Sequence, residues 1–113
     1  MKTPDSELVE HIVEHLCQEQ AEAVASLKDA EIERRVRLGI ARAQGAGFTR
    51  AEEITAYVTL MFVVAPDFDA HSGIRAALAS LSGPNRLQDL FRQTTEQDWA
   101  EAAEESAGWE AAE

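Results

Sequence analysis

His11, Glu14 and His15 stand in an H-x-x-E-H spacing, the pattern in which two histidines hold zinc and the glutamate activates water. Positions i and i+4 share a helix face, so a helix through this stretch brings both imidazoles to one side. A solvated face of an acidic helix has the same composition, and the sequence nominates no third protein ligand for a catalytic zinc. No catalytic or metal-ligating residue is therefore expected, with His11, Glu14 and His15 as the outside candidates for a metal. Asp67, Asp69 and His71 form a second titratable group, a D-x-D-x-H connector. Carboxylates and an imidazole at alternate positions suit a hard metal or acid–base chemistry. A calcium loop, however, requires Gly and Glu where this chain has Ser72 and Leu78. The expected role is helix punctuation, with Asp67 or Asp69 capping the next helix while Phe68 enters the core.

The remaining motifs point to binding more than to chemistry. Gly45-Ala46-Gly47 lacks the third glycine and the lysine of a nucleotide loop, and reads as a helix stop. Arg34, Arg35, Arg37 and Arg42 form the basic cluster, with Glu31 and Glu33 offering partners within the same segment. Exposed pairs of this kind contribute about 0–1 kcal/mol each; an anionic groove on a partner protein is the alternative use. Cys17, beside Leu16, reads as a buried and inert thiol. Trp109 stands among acids near the C-terminus, a composition shared by docking tails and frayed helix ends. The partner-facing candidates are thus Arg34, Arg35, Arg37, Arg42, Asp67, Asp69, Trp99 and Trp109.

The elements that must position these residues are helical. Leu8, Val9, Ile12, Val13 and Leu16 recur at helical spacing after a start near Pro4-Asp5-Ser6, with Glu7, Glu10 and Glu14 on the opposite side. The path between Leu16 and Asp29 stays open. Asp29 is expected to cap a helix running to about Gln44, in which Ile32, Val36, Ile40 and Ala43 form the apolar face. Gly39 inside it costs roughly 1 kcal/mol against alanine, which close approach by a neighbouring helix explains. Thr49-Arg50-Ala51-Glu52 has capping-box spacing. The helix it opens, about residues 50–65, carries Ile54, Tyr57, Val58, Met61, Phe62 and Ala65 on one face and Leu60, Val63 and Val64 on much of the rest. It is expected to be buried nearly all round and central to the fold. Short helices follow through Ile74–Leu81 and Leu87–Phe91, and a last one opens at Thr95 with Asp98 in the capping-box position and Trp99 as its anchor. The predicted class is all-α, a compact orthogonal bundle of about five to six helices. Residues 1–103 form a single domain and 104–113 an acidic, frayed or mobile tail.

Composition bounds the function. Of 113 residues, 45% are hydrophobic, enough for one modest core and too many for a disordered chain. The net charge of -11 is unevenly spread. Residues 28–50 hold six basic groups against three acids, whereas residues 94–113 hold seven acids and no base. Such a surface repels nucleic acid and anionic membranes, so neither is an expected partner, and a charged partner is expected to be basic. A single cysteine, no apolar signal-peptide core and no long apolar run favour the reducing cytoplasm. No cofactor is expected, and the oligomeric state stays undetermined.

Several strings bear a resemblance. Arg35 to Ala43, Gly47-Phe48-Thr49, Ile54 with Ala56 to Phe62, Pro66-Asp67-Phe68-Asp69 and Asp98 to Ala102 resemble small uncharacterised helical bacterial proteins associated with type VI secretion and effector gene neighbourhoods. The resemblance spans roughly residues 32–103 and carries no catalytic assignment. It implies a non-enzymatic adaptor, chaperone or accessory protein for an effector or secretion component. An acidic immunity protein neutralising a basic toxin and a small metal-dependent hydrolase using the H-x-x-E-H stretch are the alternatives.

Overall fold

Helical periodicity without β-branched alternation specifies an all-α protein, and the computed structural model, which describes residues 4–81 and 86–109, contains helices and no strand among them. Seven α-helices occur there instead of five to six: α1 (Pro4–Glu19), α2 (Ala21–Val24), α3 (Asp29–Gly45), α4 (Ala51–Val63), α5 (Ser72–Ser80), α6 (Arg86–Gln93) and α7 (Glu96–Glu104). A 3-10 turn, Phe68–Ala70, precedes α5. No helix among the described residues is long and apolar enough to cross a membrane. The chain divides into two compact units, Met1–Val63 and Val64–Glu113.

In the first unit, α1 buries Val9, Ile12 and Leu16, while Glu7, Glu10 and Glu14 remain in solvent. Gln20 leaves the helical region, and the chain makes a single further turn, α2, which buries Val24. This short element is the helix that the open stretch between Leu16 and Asp29 concealed. Cys17 is exposed, contrary to expectation. One residue is a rotation of about 100°, which carries it off the face that buries Leu16. The N-cap of α3 is Lys28, in extended conformation, and Asp29 is instead the first helical residue, with its charge near the positive end of the helix.

α3 and α4 pack against each other, and at Gly39 the approach is close. A Cβ on Gly39 would lie 2.9 Å from Val58 Cγ2 and 3.2 Å from Met61 Sδ, so the glycine is what allows the helices to approach. The α3 stop is also as expected. Gly47 takes φ 94°, and Phe48 N–H returns to Ala43 O at 3.0 Å. That return drives Phe48 into the core, with its ring 5.4 Å from that of Tyr57.

α4 also packs on α1 and α2, and within this unit it has the expected organising place. Its burial is not all round. Ile54, Thr55, Tyr57, Val58 and Met61 are buried, Leu60 is only half-buried, and Val63 is 51% exposed. Apolar content on every face of a helix does not by itself supply neighbours on every face.

The second unit is built from shorter helices and relies on caps. Phe68 is fully buried, as expected, and Asp67 does not cap through its side chain. The cap of α5 is His71, whose Nδ1 accepts from Ile74 N–H at 3.4 Å. α5 buries Ile74, Ala77 and Leu78 and packs on the 3-10 turn, α6 and α7. The capping box of α7 is present in full: Thr95 Oγ1 accepts from Asp98 N–H at 3.2 Å, and Asp98 Oδ2 accepts from Thr95 N–H at 2.9 Å. Trp99 lies against Phe68 and Phe91, at centroid distances of 5.6 and 5.4 Å, and its Nε1–H donates to Thr94 Oγ1 at 3.0 Å. Of the acidic tail expected over 104–113, the part to Trp109 is described. Ala107 N–H donates to Asp67 Oδ2 at 3.0 Å, and Trp109 is half-buried. Residues 110–113 lie outside the described residues, as do 82–85, where the stop after Leu81 was expected.

Candidate binding groove

The acidic face of α1 and the first turns of α3 come together as the walls of a groove on the first unit. Val9 and Val13 form its floor, Glu10 and Glu14 line it from α1, and Asp29, Glu33 and Arg37 line it from α3. Its volume is about 530 Å³. A smaller hollow of about 180 Å³ adjoins it, sharing Val9 and Arg37 and extending over Ile40 and Ala41 to Gln44. An apolar floor between charged walls follows from two amphipathic helices packed side by side, each keeping carboxylates at the edge of its buried stripe.

The charge of the groove is unbalanced. Four carboxylates line it against one guanidinium, and that guanidinium is engaged: Arg37 donates to Glu33 Oε1 from Nη2 at 2.9 Å and from Nε at 3.2 Å. Glu14 Oε1 accepts from Gln18 Nε2 at 3.1 Å, one turn along α1.

The arginines of α3 turn inward on their own helix. Arg34 reaches Glu31 Oε1 at 2.7 Å and Oε2 at 3.0 Å, and Arg35 Nε reaches Glu31 Oε1 at 2.8 Å. These donors, Arg34 first and Arg35 second, lower the Glu31 carboxyl from 4.5 to about 2. Arg42 is half-buried on the same helix. The basic segment read from the sequence is thus largely a ladder of i,i+3 and i,i+4 pairs.

The other sequence candidates are dispersed. His11 and Glu14 are exposed and His15 half-exposed on α1. The three do not converge as potential ligands; among the described residues the set that does is His71, Asp98 and Glu101. Asp67 anchors the Ala107 amide, Asp69 is half-buried in the 3-10 turn, and Trp99 belongs to the aromatic packing of the second unit. Asp29 and Glu33 read from the sequence as a helix cap and an ion-pair partner, not as residues of a binding surface. The signal was present in their helical phase, i and i+4, facing the side that also carries Arg37. No match emerges from comparison with protein-family models, with curated proteins or with solved structures.

Proposed function

We propose that the protein is a non-enzymatic binding module whose α1–α3 groove receives a basic, amphipathic segment of another protein. The observation that carries this reading is the groove itself: an apolar floor of Val9 and Val13 between four carboxylates and one paired arginine. A helix with lysines or arginines flanking an apolar stripe complements both features. The apolar stripe supplies affinity, and the charges supply orientation and on-rate. The resemblance of residues 32–103 to helical proteins of type VI secretion neighbourhoods supports an adaptor or accessory role toward an effector or secretion component, and a basic toxin would present the same chemistry to the groove.

The test is a titration with a synthetic amphipathic peptide, lysine-rich on its flanks and leucine-bearing on its centre, followed by backbone amide spectra. Shifts are expected on α1 and α3, clustered around Val13, Asp29 and Glu33. Glu14→Lys should weaken binding about tenfold, equivalent to about 1.4 kcal/mol, and added salt should weaken it steeply. Shifts spread over the acids of residues 94–109, with Glu14→Lys without effect, would sink the proposal.

A further inference from the structure

A separate constellation lies in the second unit. His71 ends the connector before α5, while Asp98 and Glu101 stand one turn apart on α7 and share a face. Their ligand-capable atoms all lie within 4.8 Å of one another. The His71 side chain is only 8% exposed, and its Nε2 faces Glu101 Oε1 at 3.8 Å, beyond hydrogen-bonding reach. Nε2 is the accessible edge of this largely covered ring, and it faces the two carboxylates across a gap. Asp98 Oδ2 is held by Thr95 N–H, which leaves Oδ1 for that gap. Gly73 lines the same place: a Cβ there would stand 2.9 Å from Asp98 Oδ1 and 3.2 Å from His71 Cε1.

We propose that His71 Nε2, Asp98 Oδ1 and Glu101 Oε1 form a three-ligand site for a first-row divalent transition-metal ion, with zinc as the best fit. Ligand atoms at about 2.1 Å from a tetrahedral zinc are separated by roughly 3.4 Å. Closing the Nε2–Oε1 pair from 3.8 Å to that value takes a few tenths of an ångström from a surface glutamate, and the Asp98 oxygen, within 4.8 Å of both, closes the rest by a side-chain adjustment of up to about 1.4 Å. An imidazole with two carboxylates suits zinc and its neighbours better than magnesium or calcium, which favour all-oxygen shells. The two carboxylates balance the charge of the ion, and solvent fills the remaining position.

Loading carries a defined proton movement. While Nδ1 accepts from Ile74 N–H, the ring proton resides on Nε2. An ion at Nε2 displaces that proton, and the neutral ring carries it on Nδ1 instead, where it can no longer accept from Ile74. Metal binding is therefore coupled to release of the α5 cap, a bond already long at 3.4 Å.

The experiment is a titration of Zn²⁺ into the metal-free full chain near pH 7, read from backbone amide spectra and from the histidine ring nitrogens. Saturation at one ion per chain is expected, with the His71 ring nitrogens exchanging tautomer signatures and the Ile74 amide shifting. Glu101→Gln should weaken binding at least tenfold with the helical circular dichroism unchanged. Asp98→Asn should weaken it similarly with the α7 cap retained, since its amide oxygen still accepts from Thr95 N–H and the NH2 group replaces the Oδ1 ligand. Excess Mg²⁺ or Ca²⁺ should not displace the ion. The proposal is overturned if no saturable binding occurs, or if Mg²⁺ competes on equal terms. It is likewise overturned if binding survives Glu101→Gln and is lost in His11→Ala, which would move the metal to α1.

Discussion

The two units of this chain hold their helices by different means. In Met1–Val63 the helices are long, 16, 17 and 13 residues for α1, α3 and α4, and α3 and α4 make a close apolar approach at Gly39. In Val64–Glu113 the helices run 8 or 9 residues, shorter than isolated helices can sustain in water. There the ends are secured individually: His71 caps α5, Thr95 and Asp98 cap α7, and Asp67 holds Ala107. The difference shows where each unit is vulnerable. The first should fail through its packing and the second through its aromatic seat and its caps.

The largest expected effect is on the aromatic seat. Trp99→Ala removes a ring packed on Phe68 and Phe91 together with the bond to Thr94, and should destabilise by about 3 kcal/mol, measured by urea unfolding. Retention of more than half of that loss in Trp99→Phe would show that the Thr94 bond contributes beyond the ring. The counterpart in the first unit is Gly39→Ala. Its new methyl meets Val58, whose branched side chain has little rotamer freedom in a helix, so overpacking outweighs the gain in helix propensity. The net loss should be about 1–2 kcal/mol. Combined with Val58→Ala the pair should be less than additive, because the smaller side chain makes room. An additive pair would mean that the helices are not in contact at this point.

Those two sites also measure how far the sequence could be read. Gly39 was legible because a glycine amid good helix formers is a local cost that only packing repays. The Thr95–Asp98 box and the Gly47 stop were legible because both are local rules, settled within four residues. Cys17 was misplaced because phase at the edge of a stripe turns on one residue. The exposed Val63 was misplaced because apolar composition does not report which neighbours arrive. The groove was half-legible: Glu10 and Glu14 were assigned to the outer face of α1, but the pairing of that face with Asp29 and Glu33 is a tertiary fact. His71 was noted for its own connector, whereas its partners Asp98 and Glu101 lie about 30 residues away, a separation no spacing rule spans.

The caps of the second unit provide the next comparison. Thr95→Ala removes the oxygen that receives Asp98 N–H and should cost about 1 kcal/mol. Thr95→Ser should restore nearly all of it. Amide exchange in the first turn of α7 checks the location, and an effect of equal size in Thr95→Ser would place the loss in the methyl group instead of the cap.

The smallest effect sharpens the contrast from the first unit, where α3 has no side-chain cap at its N-terminus and its ion pairs run along the helix. Glu31 is held down to about 2 by Arg34 and then Arg35, from an unpaired value of 4.5. A depressed folded-state value means that the unfolded chain binds the proton more readily, so the pairs favour the folded state above pH 4.5. That contribution is lost as pH falls from about 4.5 to about 2. Arg34→Gln should raise the Glu31 carboxyl more than Arg35→Gln does, since Arg34 is the larger cause and engages both carboxylate oxygens. The titration of the Glu31 side-chain carbon by NMR reads this directly. A larger shift in Arg35→Gln would reverse the assignment of the dominant partner, equal shifts would remove it, and no shift in either would show that the ladder on α3 is not formed in solution.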